Sequence, residues 1–252
     1  MELENIIVID IETVPQKPSF ELLSTHWKQL WSEKVSKVLP DGMSLSDWYL
    51  RRAGVMAEFS KVICISIGFY LNQKSSSYKV VSIYGNDEIS ILSSFIDLLN
   101  KLFFIQKKKI IAGHNIKEFD IPFICRRLMV HKIPVPAFMN IHLQKPWEQN
   151  LLDTFQMWKF GDYKHYTSLH LLASVLNVPS PKTELDGSMI APLFWEENPI
   201  QQELNMLKII EYCGRDVIAT MNIILRFQNK ELLQENTIHF ESILQTTSCL
   251  QD

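Results

Sequence analysis

Asp10 and Glu12 flank a single isoleucine at the end of the run Asn5-Ile6-Ile7-Val8-Ile9. Alternation along a strand puts two such side chains on one face of a sheet, where the carboxylates repel unless a cation lies between them. Hard oxygen ligands on rigid backbone suit Mg²⁺ or Mn²⁺. Asp-x-Glu is also common surface chemistry, but the apolar run before it places this pair on a buried strand. A further carboxylate, Asp120, closes Gly113-His114-Asn115-Ile116-Lys117-Glu118-Phe119-Asp120, a turn from a buried strand into a helix. Asn115 can fix the geometry of such a turn, and a plain N-cap aspartate is an alternative reading of Asp120. Tyr212 and Asp216 lie four apart on a late helix and so share a face. Gly214 between them costs a helix roughly 1 kcal/mol relative to Ala, which predicts close approach of another backbone or a ligand. A half-buried tyrosine packed under a surface aspartate is the plainer reading of that pair.

The elements that must position these residues follow from hydrophobic spacing. Asn5–Asp10 reads as a strand buried on both faces. From Gln16 to Phe59 the pattern turns helical and aromatic, with Trp27, Trp31, Trp48 and Tyr49, broken by the turn signal Pro40-Asp41-Gly42. That insertion is either a lid or wedge that splits duplex ends, or an amphipathic element packing its aromatics onto the core. Residues 61–70 and 78–84 read as strands joined by a polar hairpin loop at 72–77, so the first three strands form an antiparallel meander. Glu88–Phe104 has helical spacing, and Ile110–Gly113 is a short buried strand. A helix with Pro122 in its first turn runs from Asp120 to about Val130. Leu151–Phe155 is a fifth strand, and Tyr166–Leu176 is helical. Asn198-Pro199 opens a long helix to about Asn229, with Gln201 completing a capping box. Beyond Glu235 the sequence predicts a polar tail.

With 46% hydrophobic and 21% charged residues in 252, the chain can bury a large core, and no 18-residue apolar run is available to cross a bilayer. The acidic start Met1-Glu2-Leu3-Glu4-Asn5 is unlike a secretory signal, so a cytoplasmic protein is expected. Cys64, Cys125, Cys213 and Cys249 are far apart, and neither disulfides nor a zinc site are expected. A net charge of −3 excludes a basic coat over the whole protein. Between Lys101 and Lys132, however, Lys101, Lys107, Lys108, Lys109, Lys117, Arg126, Arg127 and Lys132 outweigh Glu118 and Asp120, a local balance of +6. This is either a solvated face or a guide for a phosphate backbone, with Arg126 and Arg127 as its arginines.

Taken in order, Asp-x-Glu at a strand end, Asn-x-x-x-Phe-Asp at a strand-to-helix turn and Tyr-x-x-x-Asp on a late helix resemble the DEDDy 3′-5′ exonucleases. The similarity is to the exonuclease domain of family-B DNA polymerases and its stand-alone, polymerase-free relatives. Ile7-Val8-Ile9-Asp10-Ile11-Glu12-Thr13 resembles the first motif, Gly113-His114-Asn115 through Phe119-Asp120-Ile121-Pro122-Phe123 the second, and Tyr212-Cys213-Gly214-Arg215-Asp216 the third. The entry to the second strand and Lys182 through Asp186-Gly187-Ser188 are also similar. The likeness runs from about Asn5 to Leu225.

The resemblance implies a ribonuclease H-like α/β domain over 1–235, with the helical insertion at 16–59 and the tail at 236–252. It implies two divalent ions, Mg²⁺ or Mn²⁺, with Asp10 bridging both, Glu12 and Asp216 completing one site and Asp120 holding the second ion. Tyr212, whose ordinary pKa near 10 makes it a poor base, would orient a water. Tyr212 at the right offset from Asp216 makes His165 unnecessary in that role. Thr13, Asn115 and Phe119 would contact the terminal nucleotides. The implied substrate is a single-stranded nucleic-acid 3′ end, DNA ahead of RNA, with nucleoside 5′-monophosphates as product. A 3′-5′ exoribonuclease and a non-catalytic binding module are the rivals. Proofreading in trans, repair and oligonucleotide turnover, and any polymerase or repair partner, stay open.

Overall fold

The computed structural model describes residues 2–71, 77–105, 110–145, 148–162, 165–179 and 185–245. Most of the expected hairpin loop, together with Lys107, Lys108, Lys109, Lys182 and Cys249, lies outside the described residues. Six strands form one mixed sheet in the order β5-β4-β1-β2-β3-β6. β1 (Ile6–Pro15) pairs antiparallel with β2 (Ser60–Tyr70), and β2 with β3 (Tyr78–Gly85). β4 (Ile110–Gly113) runs parallel to β1, and β5 (Leu151–Asp153) parallel to β4. These five strands have the ribonuclease H-like order that the resemblance implies.

The sixth strand is a departure. β6 (Ile238–Gln245) pairs parallel with β3 where the sequence predicts a polar tail. Most of its residues are exposed, so its own composition shows no buried face. What makes it a strand is the open edge of β3, whose N–H and C=O groups need partners. Gly85 accommodates it: φ is +149° there, and an added Cβ would fall 2.0 Å from the Gln245 carbonyl oxygen.

The insertion between β1 and β2 holds α1 (Thr25–Val35) and α2 (Leu45–Arg52), followed by a 3₁₀ turn at Ala53–Val55. Ser24 and Ser44 cap the two helices through the backbone N–H groups of Trp27 and Asp47. Trp31 and Tyr49 are fully buried and meet edge to face at 5.3 Å, and Trp31 meets Phe59 at 5.1 Å. The aromatics therefore form a small core that seats the insertion, rather than a wedge.

On one face of the sheet, α3 (Glu88–Asn100) and α4 (Asp120–Val130) cover Ile7, Ile9, Ile11, Ile65 and Ile67. The fifth strand ends at Asp153, and Thr154 and Phe155, expected in it, instead open α5 (Thr154–Lys159), which Asp153 caps. Then come α6 (Leu169–Val175), shorter than the expected Tyr166–Leu176, and α7 (Ile190–Phe194). On the other face α8 (Pro199–Phe227) packs Val217 and Met221 against Ile6, Val8 and Val80. Asn198 caps α8 by accepting from Ile200 and Gln201, but no capping box closes: the Gln201 amide donates to Asn205 instead. Gly68 marks the close approach of this helix, since a Cβ there would lie 2.4 Å from Val217. Gly214 does not, because its nearest neighbours would sit at 3.6 Å, in ordinary contact. The odd residues of β1 thus face α3 and α4 and the even residues face α8, a register that carries Asp10 and Glu12 toward α8.

Arg127, expected as a phosphate guide, is buried instead. It donates through Nε and Nη2 to Glu88 at 2.9 and 2.6 Å and through Nη1 to the Ala57 carbonyl. Glu88 also accepts from the Val62 N–H and meets His131. A buried charge must be paired and hydrogen-bonded, which accounts for this closed network joining α3, α4 and β2.

Candidate active site

β1 continues to Pro15, so Asp10 and Glu12 lie within the strand rather than at the strand end expected from the sequence, and they leave it on the α8 side. The β1–β2 register shifts between Glu12 and Thr13, a bulge of the kind that re-aims side chains at functional sites. Asp120 is the first residue of α4; Phe119 occupies the N-cap position and makes no capping bond. The backbone amides of Asp120 itself and of Ile11, the residue between Asp10 and Glu12, act on the Asp120 carboxyl to lower its pKa against the effect of burial. The plain N-cap reading therefore gives way, since Asp120 is the first helical residue, with its carboxyl close to the Ile11 backbone. On α8, the Tyr212 hydroxyl donates to Asp216 one turn away.

All five residues line one cleft of about 1140 Å³, together with Asn115 and Phe119. A second cleft of about 900 Å³ shares Ile11, Glu12, Val55, Phe119 and Gly187 with the first and is lined by Thr13. The Thr13 hydroxyl donates to the Gly54 carbonyl at 2.6 Å, which ties β1 to the insertion. His165 is exposed and lines neither cleft.

Burial, followed by the neighbouring carboxylates, raises the pKa of Asp10 and of Glu12 well above the ordinary range. Burial pushes Asp120 and Asp216 up to about 7; the charge of Asp153 adds to the rise at Asp120, and the Tyr212 hydrogen bond opposes it at Asp216. Burial and the charges of Asp216, Glu12 and Asp10 also push the Tyr212 phenol up, so it stays protonated. Four crowded carboxyl groups, none ion-paired among the described residues, fit a divalent cation, because a cation relieves both repulsion and desolvation. Ligand atoms of Asp10, Glu12 and Cys213 lie within 4.8 Å of one another.

Three contributors were missed in the sequence. Cys213, for which the sequence predicts neither a disulfide nor a zinc site, is buried but directs its thiol at the Asp10 carboxylate, at 3.3 Å. Asp153, read as an ordinary strand residue, is 2% exposed and accepts from four backbone N–H groups, those of Asn115, Lys117, Phe155 and Gln156. It locks the Asn115 turn, where φ is +60°, onto the end of β5. His114 sits under that turn with its Nε2 donating to the Thr167 carbonyl and its Nδ1 at Thr154; burial lowers its pKa and keeps it neutral. An aspartate at a strand-to-helix junction was the available signal for Asp153. Nothing local marked the thiol.

Fold and site together define a ribonuclease H-like domain with a carboxylate-lined cleft beside the middle of its first strand. Residues 55–251 match the family described as a predicted 3′-5′ exonuclease related to the exonuclease domain of PolB, and the chain belongs to that family. β1 and most of the insertion precede the matched segment. No curated protein matches the chain. Among solved structures, it is similar to the family B DNA polymerase from the hyperthermophilic archaeon Pyrobaculum calidifontis, at 12% identity and a TM-score of 0.48. The likeness covers 85% of this chain and 23% of the polymerase chain. No helix among the described residues is long and apolar enough to cross a membrane.

Proposed function

We propose that this protein hydrolyses single-stranded DNA from its 3′ end and releases nucleoside 5′-monophosphates. The observation that carries the reading is the convergence of Asp10, Glu12, Asp120, Tyr212 and Asp216, from three separated segments, on one cleft. Two divalent cations, Mg²⁺ or Mn²⁺, held by the four carboxylates would activate a water, neutralise the phosphate and stabilise the leaving 3′-oxygen. Asp10 and Glu12 offer ligands from rigid strand backbone, and the Cys213 thiol orients the Asp10 carboxylate. Asp120, at the first position of α4, adds its carboxylate to the same cleft. Tyr212 is protonated and donates to Asp216, so its hydroxyl oxygen would orient the attacking water by accepting a hydrogen bond rather than removing its proton. Phe119 offers a ring for base stacking, worth about 1–3 kcal/mol per base and tolerant of sequence.

The test is degradation of matched 5′-labelled DNA and RNA oligonucleotides by purified protein with Mg²⁺ or Mn²⁺, with Asp10→Ala as control. Mononucleotides released from the DNA 3′ end, and abolished in the variant, are expected. Preferential loss of the RNA would move the assignment to an exoribonuclease. Binding of either polymer without any metal-dependent cleavage would replace it with a binding module.

A further inference from the structure

Resting on the polynucleotide reading above, we propose that the helical insertion is the phosphate-gripping wall of the cleft, with Arg51 and Arg52 as its contacts to the substrate backbone upstream of the bond cut. Both arginines lie in the last turn of α2 and are exposed. Arg52 lines the cleft that holds the carboxylates, and Arg51 lines the adjoining one. Among the described residues they are the sole lysines or arginines lining either cleft. Neither is ion-paired among those residues; the Arg52 guanidinium stands 5.9 Å over the Trp48 ring, with its donors unspent.

The physical need is plain. A polyanion approaching four carboxylates is repelled, and cations held at the cleft floor serve the phosphate being cut, not those behind it. Fixed cations on the wall must hold the rest of the strand, and guanidinium matches phosphate in a bidentate geometry. The lysine-rich segment around the second motif does not supply them: Arg127 is buried against Glu88, and Lys101, Lys117, Arg126 and Lys132 line neither cleft.

The wall is also rigid. The Trp31 indole donates to the Leu45 carbonyl at the start of α2, and Tyr49 is buried with its hydroxyl on the Lys17 backbone. The Thr13 hydroxyl holds Gly54, two residues past Arg52. The guanidinium groups are therefore carried by an element fixed to the strand that bears Asp10 and Glu12.

The test is fluorescence anisotropy of a labelled oligo-dT across a salt series with Ca²⁺ present, alongside steady-state kinetics with Mg²⁺ or Mn²⁺. Arg51→Gln with Arg52→Gln is expected to raise KM about tenfold, with the effect falling mainly on KM rather than kcat. The slope of log binding constant against log salt should fall by about 0.7 for each phosphate no longer neutralised. Arg51→Lys with Arg52→Lys should restore the slope. Lys34→Gln with Lys37→Gln removes equal charge from the same insertion away from both clefts, and should leave slope and KM unchanged. An unchanged slope and KM in the arginine variants, in a protein that binds or degrades DNA, overturns the arginine assignment alone. So does an equal weakening in the lysine variants. A wild-type protein that binds DNA without cutting it overturns the exonuclease reading but leaves the salt slopes to decide this one. A wild-type protein that does neither overturns both.

Discussion

A tyrosine hydroxyl beside carboxylates can either lose its proton or donate it in a hydrogen bond, and at Tyr212 burial together with Asp216, Glu12 and Asp10 decides for donation. Removing the hydroxyl should then spare the ligands while disturbing the attacking group. Tyr212→Phe is expected to lower kcat by about 10²-fold with the metal concentration for half-maximal activity nearly unchanged. A kcat within twofold of wild type would remove the residue from the mechanism. Asp10 with Glu12 and Tyr212 with Asp216 were legible as pairs because one strand repeat or one helix turn converts their spacing into a shared face, whereas Asp120 was marked only by the strand-to-helix turn it closes. The role of Cys213 was not readable. An apolar neighbourhood makes a thiol look like a core residue, and only the packing of α8 on β1 brings it to Asp10.

At the scale of elements, the carboxylate-lined cleft depends on a loop that local sequence leaves underdetermined. Asn115 takes a left-handed conformation, and the backbone of its turn is held by Asp153 from a strand nearly forty residues away. Asp153→Ala removes the acceptor for four buried or half-buried N–H groups and is expected to cost about 2–4 kcal/mol, read as a lower urea midpoint at constant slope. Asp153→Asn should cost less, because Oδ1 alone serves Asn115, Phe155 and Gln156. Equal destabilisation in the two variants would show that the charge, not the acceptor geometry, matters. Strands buried on both faces were legible from their continuous apolar runs, and the longer amphipathic helices from their apolar period. β6 was not, since an exposed edge strand carries no buried period and its pairing partner lies far away in the chain.

For the whole molecule, gathering four carboxyl groups into one buried site makes stability depend on pH and on cations. Their pKa values are raised in the folded state, to about 7 for Asp120 and Asp216. The folded protein therefore binds more protons than the unfolded chain above about pH 4, and stability falls as pH rises toward 7. In EDTA the Tm should decline from about pH 5 to about pH 8, and less steeply in Asp216→Asn. Mn²⁺ should raise the Tm more at the upper end of that range than at the lower, since the ligands must be deprotonated to bind it. A Tm in EDTA that is flat or rises over this range would contradict the burial of the cluster. The sequence by itself determined the residue types and their order: an Asp-x-Glu following an apolar run, a turn ending in Asp120, and a tyrosine four before an aspartate. Those are local facts, because strand alternation and helix periodicity act over a few residues. Only the tertiary structure decided that Arg127 is spent on Glu88 while Arg51 and Arg52 face the clefts, and that Cys213 and Asp153 support the site. Charge and thiol chemistry are set by what lies within a few ångströms in space, and sequence distance does not encode that.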